Sequence, residues 1–178
     1  MSQVLLVIDI QSCYINTYKN QQSVTHLIDN TNRHIEDATR KGIPIILIEH
    51  EFRGWLLTAI MKTFFRGMGL KGSEDFPTDP RVKIKPDKYF IKTKGDSLTV
   101  NKLEDYLKAN KISQLILLGQ DGNECIRATT LGSLRRGYTT YILEDAVGAS
   151  NEAKWRKNRD LLIEMGAKML ANIKDLPS

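Results

Sequence analysis

Leu115-Ile116-Leu117-Leu118-Gly119-Gln120-Asp121-Gly122-Asn123-Glu124-Cys125-Ile126 is the stretch from which the rest of the chain is read. Four consecutive aliphatic residues bounded by Gly119 have the composition of a strand buried on both faces. Residues 128–136 read as the helix that follows. Cys125 therefore falls at a strand–loop–helix junction, near a helix N-terminus. There, unpaired N–H groups and the helix dipole favour a thiolate, the nucleophilic form of cysteine. A free cysteine is more commonly a small buried hydrophobe. Position alone leaves both roles open, and the remainder of the chain has to decide between them.

Outward from this stretch, strand and helix signals alternate. Residues 4–8 are an all-aliphatic run, as a central parallel strand requires. Val24, Leu27, Ile28, Ile35 and Ala38 recur at helical spacing over residues 24–41, and Gly42 stops that helix. Residues 43–48 form a second buried strand, and 55–65 a short helix. The Gly-, Pro- and charge-rich segment 66–88 reads as irregular. A short third strand spans 89–91, and a helix spans 98–110. After the strand at 115–118 and its helix come a fifth strand (139–143), a helix (153–165) and a short sixth strand (167–170). Strands separated by helices imply right-handed crossovers, and so a three-layer α/β/α fold around a mainly parallel six-stranded sheet. The length of 178 residues fits one domain spanning 1–178.

Composition narrows the function classes. Hydrophobic residues make up 41% and charged residues 26%, which are ordinary globular values. The formal charge is +5, but Lys and Arg are scattered among acids. That pattern is a solvated surface rather than a nucleic-acid footprint. No signal peptide or membrane-spanning run is expected, since no apolar stretch approaches about 18 residues. Two cysteines far apart in sequence fit reduced thiols in a cytoplasmic protein.

In open α/β sheets, ligands bind outside the carboxyl ends of the strands. That rule selects Asp9 after strand one, Glu49 and His50 after strand two, Lys92 after strand three, Cys125 after strand four, and Glu144 and Asp145 after strand five. Asp9 follows five aliphatic residues, where a buried carboxylate needs partners. It reads either as a loop brace or as a base that takes the thiol proton of Cys125. Lys92 reads either as a lysine snorkelling at a strand end or as a cation that holds the Asp–Cys pair. Together they supply a nucleophile, a base and a cation at one rim, the layout for attack on an acyl or amidine carbon. Cys13 reads as packing. Trp55, Phe64 and Phe65 read as core or subunit contact, or as a wall or lid of the pocket.

These residues resemble the isochorismatase-like hydrolases, also called cysteine hydrolases. Val7-Ile8-Asp9-Ile10-Gln11 with Tyr14 is similar to the opening Asp-x-Gln of that family and its nearby aromatic. Lys41-Gly42-Ile43-Pro44, Gly72-Ser73-Glu74, Lys92 with Leu98 and Leu103, Gly119 with Cys125, Thr129 and Gly137-Tyr138, and Glu144-Asp145-Ala146 follow in the family's order. The resemblance implies a sheet ordered 3-2-1-4-5-6, with Asp9 as base, Lys92 as supporting cation and Cys125 as nucleophile. It implies a cis peptide at Gln120-Asp121 and an oxyanion hole from the backbone N–H groups of Asp121 and Cys125. Gln11, Tyr14, His50 and Trp55 become candidates for the substrate pocket. A homo-oligomer is implied, a dimer or higher form whose neighbouring subunit helps to wall the pocket.

The departures are informative too. Nicotinamidases in this family carry an Asp-x-His and a further histidine after strand two to hold a metal. This chain has Glu49-His50-Glu51-Phe52-Arg53, so neither a metal nor any other cofactor is expected. Gly122 stands where the family usually has Thr or Ser, and Glu124 directly precedes the cysteine. In a sheet of this order strand three lies away from strand four, so Lys92 has to curl over the pocket, and Lys94 competes with it.

The reading that follows is a metal-independent cysteine hydrolase of a small amide, ureido or related C–N substrate, acting through a thioester. One alternative is vinyl ether hydrolysis of the isochorismatase type, which needs no thiol. The other is a catalytically silent family member that binds a ligand or partner, which Gly122 and Glu124 keep open.

Overall fold

The computed structural model of the chain describes residues 2–18, 20–64, 67 and 69–176. Six strands form one sheet: β1 (Ser2–Ile8), β2 (Ile45–His50), β3 (Lys88–Lys92), β4 (Ile112–Gly119), β5 (Thr139–Val147) and β6 (Lys168–Leu170). Their order is β3-β2-β1-β4-β5-β6, and every pairing is parallel, where the sequence suggested a mainly parallel sheet. The helices are α1 (Ser12–Ile15), α2 (Gln21–Arg40), α3 (Trp55–Phe64), α4 (Asn101–Ala109), α5 (Cys125–Arg135) and α6 (Glu152–Glu164). Phe65, expected to close the third of these, lies outside the described residues.

Side chains alternate across a strand, and the core divides accordingly. Leu5 and Val7 of β1, with Ile116 and Leu118 of β4, pack under Val24, Ile28, Ile35 and Ala38 of α2. Val4, Leu6 and Ile8, with Leu115 and Leu117, face Leu103 and Leu107 of α4, Ile126 of α5 and Trp155 and Leu162 of α6. The sheet is thus covered on both faces, which is why β1 and β4 read as unbroken aliphatic runs. The helix α3 is different. It buries Met61 but leaves Trp55 84% and Phe64 75% exposed.

The register fixes the site. Ile8 is level with Ile48 and with Gly119, and His50 is level with Lys92. Asp9, His50, Lys92 and the loop after Gly119 therefore share the carboxyl rim. Gly119 is required there, because a Cβ on it would lie 2.0 Å from the Ile8 carbonyl oxygen. Among the described residues no helix is long and apolar enough to cross a membrane.

Candidate active site

Asp9 leaves β1 with φ of 54°. That left-handed conformation is uncommon for a residue with a Cβ and persists where surrounding structure enforces it. The Asp9 N–H donates to Ile48 O at 2.9 Å, and Gln120 Nε2 donates to Asp9 O at 3.2 Å. The carboxylate meets Lys92 Nζ at 2.7 Å. Lys92 Nζ also donates to Cys125 Sγ at 3.0 Å and to Lys94 O at 3.3 Å. The intervening strands do not keep Lys92 from the cysteine: its side chain, 1% exposed, reaches Sγ from β3 across the sheet order. Lys94 is exposed and offers only its backbone carbonyl.

Cys125 is the first residue of α5, three positions before the helix start read from the sequence. Its thiol is not the resting thiolate that the helix terminus alone suggested. Burial, and then the Asp9 carboxylate, push it up to about 12, against the opposing pull of Lys92. Burial by itself would lower the Lys92 ammonium, but Asp9 and Cys125 outweigh that and raise it. The arrangement is a neutral thiol beside an Asp–Lys ion pair, and ionising the sulfur requires its proton to be accepted as it attacks.

The Gln120-Asp121 peptide is cis. Around it, Gln120 N donates to Ile8 O, Gly122 N to Gly148 O, Asn123 N to Asp121 Oδ1, and both Glu124 N and Ile126 N to Asp121 O. Among the described hydrogen bonds, the N–H groups of Asp121 and Cys125 have no acceptor. Asp121 Oδ2 accepts from Ser150 N at 2.8 Å, tying the loop to the entrance of α6. Gly122 has a steric reason: a Cβ there would lie 2.8 Å from the Trp155 ring and 2.9 Å from Val147 Cγ1. The carboxylate of Glu124 turns outward to Lys154 at 3.0 Å.

A cavity of about 310 Å³ opens in front of this group, walled by Asp9, Cys125, Tyr14, Tyr18, His50 and Phe52. Thr17 and Ser150 also face it. Tyr14, His50 and Phe52 form an aromatic collar, with ring centroids 4.8 to 6.4 Å apart. Tyr14 Oη meets His50 Nδ1 at 3.2 Å. Burial and the positive charge of Lys92 lower the His50 pKa, so the ring is neutral. A roomier groove of about 1020 Å³ runs between α2 and the starts of β2 and β3. It lies at the amino ends of the strands, away from this chemistry.

Two of the pocket candidates are elsewhere. Gln11 is fully buried and clamps the chain: its Nε2 donates to Phe76 O at 2.6 Å, and its Oε1 accepts from His50 N at 2.7 Å. It braces the rim without facing the cavity, because its polar atoms are used on backbone. Trp55 points outward from α3. Glu49 accepts from Thr78 N, Thr78 Oγ1 and Tyr89 Oη, and Glu51 from Arg53, so the carboxylates flanking His50 already hold partners. That donor set does not match a metal site of the Asp-x-His kind. Glu144 and Asp145 lie inside β5, not after it. They pair with Arg159 and with Arg33 and His34, away from the cavity. Phe52, Thr17, Tyr18 and Ser150 were not singled out from the sequence. They come from segments without a regular period, and only the chain's return to the rim brings them in.

Comparison with known proteins agrees with this architecture. An uncharacterized isochorismatase family protein of Bacillus subtilis, YrdC, is 24% identical over 158 residues, 83% of this chain and 74% of that protein. The crystal structure of N-carbamoylsarcosine amidase from Thermoplasma acidophilum superposes with a TM-score of 0.80 at 20% identity, covering 100% of this chain and 99% of that one. The pyrazinamidase of Pyrococcus horikoshii, solved in complex with zinc, superposes with a TM-score of 0.78 at 18% identity, covering 96% and 99%. Residues 3–173 match the isochorismatase domain, and with that match the chain belongs to the isochorismatase family.

Proposed function

We propose that the protein is a cysteine hydrolase that cleaves a small amide or ureido C–N bond through a thioester on Cys125. The observation that carries this reading is the contact of Lys92 Nζ with both Asp9 and Cys125 Sγ, the two residues that line one cavity in front of it. Two relatives of the same fold are named as amidases, a carbamoyl amidase and a pyrazinamidase.

In the proposed reaction Asp9 accepts the thiol proton as Sγ attacks the carbonyl carbon. The unpaired N–H groups of Asp121 and Cys125 receive the developing oxyanion; such donors contribute about 100- to 1000-fold in rate each. Collapse of the tetrahedral intermediate expels the amine, which takes the proton from Asp9. Water, giving a proton to Asp9, then attacks the thioester, and the thiol is restored as the acid leaves. Lys92 keeps Asp9 oriented and offsets negative charge throughout. The cavity volume is near the lower end for small-molecule pockets, about 300 Å³, and it suits a compact substrate held against the aromatic collar. No metal enters these steps.

Cys125→Ser is expected to abolish ammonia or amine release from a panel of small amides and carbamoyl compounds, with an unchanged circular dichroism spectrum. Cys13→Ser, which alters a buried thiol outside the cavity, is expected to be mild. Turnover of the panel near the wild-type rate in Cys125→Ser would overturn the thioester route. An intact protein that turns over none of the panel, and whose Cys125 alkylates no faster than Cys13 in iodoacetamide, would favour the binding role.

A further inference from the structure

His50 has no step in the reaction above, yet it stands in the same wall as Asp9 and Cys125. A carboxylate oxygen of Asp9, a ring nitrogen of His50 and Cys125 Sγ all lie within 4.8 Å of one another. Tetrahedral zinc holds nitrogen and oxygen at about 2.0–2.2 Å and sulfur at about 2.3 Å, which places neighbouring donors about 3.5 Å apart. Small side-chain rotations close that gap. The ligands come from the ends of β1 and β2 and from the first residue of α5.

Three further observations point to a cation. Asp9 is 2% exposed, and beyond the Lys92 ion pair and the neighbouring Cys125 thiol its carboxylate has no partner among the described residues. Lys92 pairs with Oδ2, from behind: it is not among the residues that wall the cavity. A cation entering from the cavity therefore meets the Asp9 carboxylate, the imidazole and the sulfur; it leaves the Asp9–Lys92 ion pair in place and replaces the Lys92 contact to Sγ at 3.0 Å. The His50 ring contacts the backbone of Thr93, the kind of outer contact that orients a ligating histidine. Its Nδ1 contact with Tyr14 Oη is long, at 3.2 Å, and is easily exchanged.

We infer that Asp9, His50 and Cys125 form a capture site for a thiophilic divalent cation such as Zn²⁺, and that occupation of this site switches the nucleophile off. As the Sγ–metal bond forms, the Sγ–H bond breaks and its proton leaves to solvent. No electrons are transferred, and water from the cavity takes the fourth position. The metal is here an inhibitor, and the metal-stripped protein is the active form. The inhibition rests on the proposed role of Cys125; the binding does not.

The test is therefore spectroscopic first. Metal-stripped protein titrated with Co²⁺ is expected to develop a thiolate-to-cobalt charge-transfer band and tetrahedral visible bands, saturating at about one equivalent and discharged by Zn²⁺. The bands should vanish in Cys125→Ser, and affinity should fall at least about tenfold in His50→Ala, each checked for native circular dichroism. A second readout needs no variant. Zn²⁺ should block iodoacetamide labelling of Cys125, followed by peptide mass, and chelator should restore it. Absence of the bands, bands that persist in Cys125→Ser, wild-type affinity in His50→Ala, or labelling of Cys125 that Zn²⁺ leaves unchanged would each overturn the site. If Co²⁺ binds as described but no amide is hydrolysed, the capture site stands and the hydrolase reading falls.

Discussion

Lys92 is a buried lysine, 1% exposed, whose ion pair among the described residues is with Asp9. Removing one partner of a buried ion pair leaves the other charge uncompensated and costs about 3–5 kcal/mol, whereas replacing both can be nearly neutral. Lys92→Met is therefore expected to lower the denaturation free energy by that order, and Asp9→Asn in the same background to recover much of it, while both proteins stay inactive. A double variant as unstable as the sum of the singles would show that the pair has no mutual coupling. Asp9 and Lys92 were legible in the sequence because each is a polar residue that ends or follows an apolar run, and Cys125 because it falls at a strand–loop–helix junction. What was not legible is the resting state of the sulfur. That depends on how deeply the thiol is covered and on the Asp9 carboxylate beside it, and both arise only when β1, β3 and α5 meet.

At the scale of elements, the loop between β4 and α5 is held less by its own sequence than by α6. Asn123 Nδ2 donates to Asn151 O at 3.0 Å, Asn158 Nδ2 donates to Asn123 Oδ1 at 3.0 Å, and Trp155 fills the space that a Gly122 side chain would need. Overpacking of this kind costs about 1–3 kcal/mol. Gly122→Ala is expected to lower the melting temperature, and to do so much less in a Trp155→Leu background, where the clash is relieved. Equal losses in both backgrounds would remove Trp155 as the reason for the glycine. The start of α5 escaped the sequence reading for a related cause. Its N-cap residue is Glu124, which makes no side-chain capping bond, and the usual cap formers nearby, Asp121 and Asn123, are occupied in bracing the loop. The run β1, the run β4 and the long amphipathic α2 were plain, since each carries an undisturbed period. The length of β5 was not, because Glu144 and Asp145 look like a turn and are instead strand residues with partners on α6 and α2.

Across the whole molecule, one buried titratable contact joins the helix layer to the sheet. His34 of α2 is fully buried, and its Nε2 meets Asp145 Oδ1 of β5 at 2.7 Å, while Nδ1 has no partner. Burial lowers its pKa, opposed by Asp145 and Asp37 and reinforced by Arg33. A histidine held neutral in the fold contributes stability that is complete above its unfolded value of about 6.5 and is lost as the pH falls from there toward the folded value. Unfolding free energy is therefore expected to decline as the pH falls below about 6.5, and the decline is expected to be shallower in His34→Gln. Identical slopes in the two proteins would assign the loss to other groups.

The contact between Lys92 and Cys125 has a further consequence. The cation comes from β3, one of the two edge strands, which is five residues long and is hydrogen-bonded in the sheet to β2 alone. Edge segments with few ties open locally at a lower free energy than the sheet centre. The chemistry is thus wired to an edge strand rather than to the sheet centre. Low denaturant is expected to silence the site while the β1–β4 core still protects its amides from hydrogen exchange, so that activity and global structure melt as two separate events.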